Sequence, residues 1–278
     1  MNTATVTIVT DNTAAFSGLE EEHGLSFYAA AAGVRVLFDT GQGAALPVNA
    51  ARLGVDLSTL DAVALSHGHY DHSGGLARVL SQAQPAVCFH PAALAPCYRR
   101  LDSPPHKFIG MSAESAALLS GTDLPVVHCT GPTHVAGPFW LTGPIPRRHA
   151  AEPAETPFFS DPACLVPNEI PDDQAMWFET AVGVVVLLGC AHAGVANTLD
   201  YVAELSGAPR IHAVIGGMHL DSAPPERVDA AVDALRRHDV RLAAPLHCTG
   251  PDAARRLRDT LPNAHAEAGA GSRFSWPL

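Results

Sequence analysis

Four side chains able to hold a metal ion stand within six residues of one another in Ser66-His67-Gly68-His69-Tyr70-Asp71-His72-Ser73-Gly74-Gly75. Imidazole nitrogens and carboxylate oxygens are the donors that zinc and neighbouring divalent ions take. The alternating His67 and His69 can face one ion while Asp71 and His72 turn toward another, so the spacing points to two ions sharing one loop. Solvated surface histidines are the competing reading, and each further ligand in so short a span weakens it. Gly68, Gly74 and Gly75 let the backbone turn sharply there and let the next helix pack close.

Such a loop needs rigid elements behind it. Residues 61–65 read as a strand feeding directly into the cluster, and 74–80 as the helix that leaves it. Upstream, 5–9, 25–32 and 34–38 read as strands with Gly33 at the turn, and 43–53 as a short helix. Strands at 86–89 and 126–129 then alternate with helices at 91–98 and 112–119, an α/β rhythm. Residues 131–173 are rich in proline and polar residues without periodicity, which predicts a cover over an active site. A hairpin over 174–179 and 184–188 turns near Gly183, and Val195, Leu199 and Val202 share one face of the helix that follows. A strand at 211–215, a helix opened by Pro225 with Val228, Ala231, Val232 and Leu235 at helical spacing, and a strand at 240–243 complete the pattern.

The order H-x-H-x-D-H after a strand resembles the signature of the metallo-β-lactamase superfamily. The resemblance implies an α/β (α+β) chain folded as an αββα sandwich, two mixed β-sheets flanked by helices, in a single domain over 1–278 with both ions at one edge of the packed sheets. Phe38-Asp39-Thr40-Gly41 is similar to the superfamily's first motif and makes Asp39 a residue that orients a ligand by hydrogen bonds. An ordinary turn aspartate before glycine is the alternative. Gly189-Cys190-Ala191-His192-Ala193-Gly194 offers His192 as third ligand beside His67 and His69, leaving the open position a catalytic ion needs; a buried structural histidine is the alternative. His247, in Pro245-Leu246-His247-Cys248-Thr249-Gly250, resembles the last motif and would complete a second site with Asp71 and His72. Many superfamily members carry an aspartate bridging both ions where this chain has Cys190, either a thiolate ligand or a small buried residue. The run GCAHAGVANTL, with IGGMHL, TGPIPR and PLHCTG, resembles the branch containing dihydropterin-ribofuranosylaminobenzene-phosphate synthases, over most of the chain.

The implied chemistry is a hydrolase in which two divalent ions, zinc first and manganese, iron or magnesium as substitutes, lower the pKa of bound water and supply hydroxide as nucleophile. Asp71 is expected to orient that hydroxide, and His219 in Gly216-Gly217-Met218-His219-Leu220 to touch substrate or transfer a proton, with an additional metal ligand and a structural histidine as the alternatives. Arg147 and Arg148, in the covering segment, are candidates to clamp a phosphate or carboxylate. The substrate class is a small phosphorylated, ester or lactone metabolite. A transferase releasing pyrophosphate and a non-catalytic metal- or ligand-binding module are the other readings.

Composition narrows the partners. Of 278 residues, 47% are hydrophobic and 16% charged, enough apolar surface for a sizeable core. Seventeen Lys and Arg against 28 Asp and Glu give a net charge of −11, a field that repels nucleic acid. No run approaches the roughly 20 apolar residues of a membrane helix, and the first ten residues lack a signal-peptide pattern, so the cytoplasm is the expected compartment. The six cysteines form no C-x-x-C pair, which suits free thiols. The expected partners are a small-molecule substrate and, at most, further copies of the chain in a homo-oligomer.

Overall fold

The computed structural model describes residues 3–121, 124–154, 157–208 and 210–278. Alternation of apolar side chains sets its layers. In β1 (Thr3–Thr10), Val6 and Ile8 point one way and Val9 the other; in β3 (Val34–Phe38), Val36 and Phe38 oppose Leu37. These strands join β2 (Ser26–Ala31), β4 (Ala62–Ala64), β5 (Ala86–Phe89), β8 (Val126–His128) and β16 (Arg273–Pro277) in a sheet ordered β16-β1-β2-β3-β4-β5-β8. Its β16 to β3 portion is antiparallel and its β3 to β8 portion parallel, so the sheet is mixed.

The second sheet runs β15-β14-β13-β12-β10-β9, built from β9 (Thr133–Ala136), β10 (Phe139–Leu141), β12 (Met176–Thr180), β13 (Gly183–Leu188), β14 (Ile211–Gly217) and β15 (Leu242–Leu246). Here β13, β14 and β15 are parallel and the rest antiparallel. Covered on both faces, β13 is a continuous apolar run: Val185 and Leu187 meet the first sheet, while Val184, Val186 and Leu188 meet helices. Between the sheets lie Phe27, Phe38, Phe139, Met176 and Phe178, all wholly buried. Each such side chain contributes roughly 1.5–3 kcal/mol when removed from water.

Helices α1 (Ala45–Arg52), α3 (Leu76–Leu80) and α4 (Ala113–Ser120) cover the outside of the first sheet through Leu46, Leu76 and Leu119. Helices α5 (Val195–Ser206), α6 (Pro225–Arg237) and α7 (Pro251–Thr260) cover the second through Leu199, Val232 and Leu257. The result is the αββα sandwich. A one-turn helix, α2 (Tyr70–Ser73), carries half of the histidine cluster. A small third sheet, β11-β6-β7, joins β6 (Tyr98–Arg99), β7 (Lys107–Phe108) and β11 (Phe158–Phe159) beside it.

Three sequence expectations are corrected. The helix over 91–98 is a single 3-10 turn, Pro91–Leu94, because Pro96 forces the preceding Ala95 into extended backbone (ψ 144°). The strand expected at 240–243 is β15, beginning at Leu242 and running through Pro245. An edge strand tolerates a residue with no N–H to donate, and β15, paired with β14 along one side, is bridged on the other at Ala243 to His265, two residues short of Pro245. The span 131–173 is no uniform cover, since its first part forms the β9–β10 hairpin at the edge of the second sheet, with Phe139 and Leu141 buried and Trp140 partly exposed; residues 155 and 156 of that span lie outside the described residues. Among the described residues, no helix is long and apolar enough to cross a membrane.

Candidate metal centre

Five loops converge at one end of the sandwich, each leaving the carboxyl end of a strand: Asp39 after β3, the histidine loop after β4, Cys190 and His192 after β13, His219 after β14, and His247 after β15. Parallel strands deliver their carboxyl ends to the same edge, so the topology itself collects residues nearly 210 positions apart. Four residues here hold left-handed backbone without being glycine: Asp39 (φ 61°), Ala191 (55°), His219 (47°) and His247 (48°). Such conformations cost of order 1–3 kcal/mol each and persist where the surroundings over-determine them. The loops are also packed too closely for side chains at certain points. A Cβ on Gly189 would collide with Ser66, and one on Gly194 with the Glu152 carboxylate.

Three of the histidines are tied outward through Nδ1 and present Nε2 inward. His67 Nδ1 lies 2.8 Å from Ser66 Oγ, His72 Nδ1 2.7 Å from Asp39 Oδ2, and His247 Nδ1 2.9 Å from Asn12 Oδ1. Inside, His67 Nε2 is 2.9 Å from His69 Nδ1, while His72 Nε2 is 3.3 Å from His247 Nε2 and 3.1 Å from Cys190 Sγ. The rings of His67 and His69 lie 4.8 and 4.9 Å from that of His192. His67, His69 and His192 bring one nitrogen each within 4.8 Å of one another; so do the donor atoms of His67, His72 and Cys190, and those of His23, Asp71 and His247. Asp71 Oδ2 is 3.1 Å from His23 Nε2 and 3.4 Å from His247 Nε2.

This donor set fits divalent cations. If Asp39 and Asn12 accept the Nδ1 protons of His72 and His247, both Nε2 lone pairs point at each other across 3.3 Å, a repulsive arrangement that a cation between them relieves. Donors about 2.0–2.1 Å from a tetrahedral zinc are themselves about 3.4 Å apart, close to the observed separations.

For His67, His192 and Asp71 the electrostatics agree. Burial and the neighbouring imidazoles hold His67 and His192 well below the usual histidine range, keeping them neutral and able to coordinate. For Asp71 burial opposes ionisation, but hydrogen bonds from His23 and His247 and the charge of His72 outweigh it and hold the carboxyl well below its ordinary value. His72 goes the other way: burial disfavours its charge, and Asp39 overrides burial to lift it to about 9.

Asp39 lies behind the histidine loop. Wholly buried, it accepts the Ser66 N–H (2.7 Å) and Ser66 Oγ–H (2.7 Å) as well as the bond from His72. Cys190 reaches the cluster beside His67 and His72. His219 lines the cleft with its ring 4.3 Å from that of His192.

The two arginines expected to clamp substrate are placed elsewhere. Arg147 donates from Nη1 to the His192 carbonyl (2.7 Å) and from Nη2 to the Glu169 carbonyl (2.6 Å), and Arg148 pairs with Glu204 on the outer surface of α5. Neither lines the cleft. Their charge is spent on the protein's own carbonyls and carboxylates, because the chain turns them toward α5 and not toward the opening. Arg147 is therefore a brace for the His192 loop, and Arg147→Ala is expected to weaken metal binding about 10- to 100-fold while Arg148→Ala leaves it unchanged. Competition against a chromophoric chelator measures both; equal affinities in the two variants would contradict this placement.

Several residues that hold the centre lie outside the motifs read from the sequence. Asp172 accepts the Gly68 N–H (2.7 Å) and Asp173 the Ala193 N–H (2.8 Å), so adjacent carboxylates staple the two metal loops; burial lifts both to about 6. Gln174 ties down the strand before the histidines by donating to the Leu65 carbonyl (2.8 Å). Glu152, buried, accepts the N–H groups of Ala196 and Asn197 (both 2.9 Å) and so caps α5 immediately after the His192 loop. A carboxylate pair just ahead of a strand, as in Pro171-Asp172-Asp173-Gln174, is the kind of signal that could have revealed the staple.

Above the cluster opens a cleft of about 810 Å³. Its lining includes His69, Asp71, Cys190, His192, His219 and His247 on the floor and Tyr70, Arg99, Lys107, Phe158 and Arg227 on the walls. Ala151, Pro153, Ala154 and Pro157 also border it, so the middle of the span 131–173 does flank the opening.

The family model described as the metallo-beta-lactamase superfamily matches residues 20–144. The uncharacterized protein MJ0448 of Methanocaldococcus jannaschii is 30% identical over 248 residues, 88% of this chain and 90% of that protein. The 7,8-dihydropterin-6-methyl-4-(beta-D-ribofuranosyl)-aminobenzene-5'-phosphate synthase of the same organism is 26% identical over 251 residues, covering 82% of this chain and 81% of the synthase. Among solved structures, Tm1679, described as a metal-dependent hydrolase of the beta-lactamase superfamily, superposes with a TM-score of 0.81 at 27% identity over 98% of both chains.

Proposed function

The chain belongs to the metallo-beta-lactamase superfamily, and from that premise we propose that it is a metal-dependent hydrolase of a small phosphorylated, ester or lactone substrate. The observation that carries this reading is the set of inward-facing donor atoms on the floor of a cleft roomy enough for a metabolite. His67, His69 and His192 would hold one ion and Asp71, His72 and His247 the other, with Cys190 beside both groups; nitrogen and sulfur donors favour zinc. Bound there, divalent cations supply Lewis-acid polarisation of the oxygen under attack and lower the pKa of water.

The chain's own groups do the rest. Asp71, kept ionised by His23 and His247, accepts a hydrogen bond from the attacking water and sets its direction. His219, on the cleft floor next to His192, stands where a leaving group would collect a proton. Phe158, with its ring 5.3 Å from those of His69 and His192, shields the reacting bond from bulk water.

Metal analysis of the purified protein, followed by a screen of phosphoesters, lactones and pterin diphosphates with and without chelator, tests the proposal. We expect bound divalent metal and hydrolysis that the chelator stops. Turnover untouched by the chelator, or a protein that holds no metal, would sink it. The synthase relative motivates a second reading, a transferase acting on a pterin diphosphate. Release of inorganic pyrophosphate with a new carbon-linked product, in place of hydrolysis, would select it.

A further inference from the structure

Phe158, Arg99 and Lys107 stand in one row across the small sheet: Phe158 is directly opposite Arg99, and Arg99 directly opposite Lys107. Opposed residues of antiparallel strands project from the same face, with about 4.5–5.5 Å between Cα atoms at each step. Phe158 identifies that face, because its ring packs against His69 and His192. Both cations therefore point into the cleft, and all three residues line it. The adjacent row turns to the opposite face, where the Arg100 guanidinium lies 4.0 Å over the Phe159 ring.

The row is also fastened to the metal loop. Lys107 Nζ donates to the Tyr70 hydroxyl (3.1 Å) and lies 4.8 Å from the centre of its ring, and the Tyr70 N–H donates to the Ile109 carbonyl (3.0 Å). Tyr70 sits between His69 and Asp71 in the chain, so a shift of the small sheet is a shift relative to the floor. Among the described residues, neither Arg99 nor Lys107 has a carboxylate partner, although acids outnumber bases 28 to 17 in the sequence. Two unneutralised cations on one wall of a cleft, in a chain of net charge −11, form a local field opposite to that of the whole.

We propose that this row is a recognition element for an oxyanion, in the first place a phosphate, carried by the substrate at one to two strand spacings, about 5–10 Å, from the bond that reacts. Arg99 offers a planar fork for two phosphate oxygens and Lys107 a point charge behind it. Phe158 packs on the flat part of the ligand between the two ends. The proposal rests on the reading that the histidine floor is where the substrate reacts.

Isothermal titration of the metal-replete full chain with two probes tests it. Phenylphosphonate has one anionic end, and 1,4-phenylenediphosphonate has two held apart by a rigid ring. The wild type is expected to bind the double-ended probe at least 10-fold tighter than the single-ended one. Arg99→Gln/Lys107→Gln loses that gain, and Arg148→Gln, remote from the cleft, keeps it. Absence of the gain in the wild type, or its survival in the double variant, overturns the proposal. A gain equally large with 4-carboxyphenylphosphonate overturns the preference for phosphate. Both positions are exposed, so the variants should fold normally. If the gain is present but no substrate turns over, the hydrolase reading fails and the anion site stands; turnover without the gain removes the site alone.

Discussion

Replacing His67 and His69 together by alanine is expected to strip the protein of bound metal and lower turnover by more than about 100-fold, since the loss of merely supporting groups around a metal already costs 10- to 100-fold. The two rings supply neighbouring donor atoms, 2.9 Å apart, and His67 also belongs to the group formed with His72 and Cys190. Removing both therefore dismantles one set and thins the other. The fold should survive, because its three large apolar clusters lie between and outside the sheets and contain neither histidine. Metal content by mass spectrometry, circular dichroism and a turnover assay separate these effects. A folded, metal-free double variant that retains activity would end the account.

Asp39→Asn is expected to remove one ion selectively. The carboxylate accepts three hydrogen bonds, and the one from His72 Nδ1 holds that ring in the tautomer whose Nε2 lone pair faces inward. An amide nitrogen at Oδ2 would donate instead, reverse the tautomer and turn an N–H toward His247 and Cys190. Metal affinity at the Asp71–His72–His247 site should fall at least 10- to 100-fold, with the His67–His69–His192 site retained. Asp39→Ala is harsher. It leaves a buried imidazole and two Ser66 donors without their acceptor, a loss of about 3–5 kcal/mol. Chemical denaturation should show the alanine variant far less stable than the asparagine one; equal stability, or two full ions in Asp39→Asn, would show that the carboxylate does not act in this way.

How much of this was legible in the residues differs by kind. The cluster from His67 to His72 is contiguous, so its donors declare themselves, and Asp39, His192 and His247 each follow an apolar strand within a short glycine-bearing motif. The alternation of β1 and the continuous apolar run of β13 made strands legible, whereas the sandwich they build was implied by the resemblance that the H-x-H-x-D-H order carries. Residues that support the centre one at a time were not legible. Asn12, His23, Glu152 and the Asp172–Asp173 pair come from segments with no periodicity, and only tertiary packing gives them their partners. The row of Arg99 and Lys107 was not legible, because the helix expected over 91–98 is broken by Pro96 and gives way to β6, and no element was expected where β7 carries Lys107. Arg147 and Arg148 show the converse error. A charge in a loop says nothing about its direction, and both turn toward the protein's own α5 side.

Anomalous diffraction from crystals of the metal-loaded protein, collected at the absorption edge of the ion that elemental analysis identifies, tests the central claim most directly. One peak should fall among His67, His69 and His192 and a second among Asp71, His72 and His247. Peaks confined to the outer surface, or a histidine floor without any ion when metal is in excess, would contradict it.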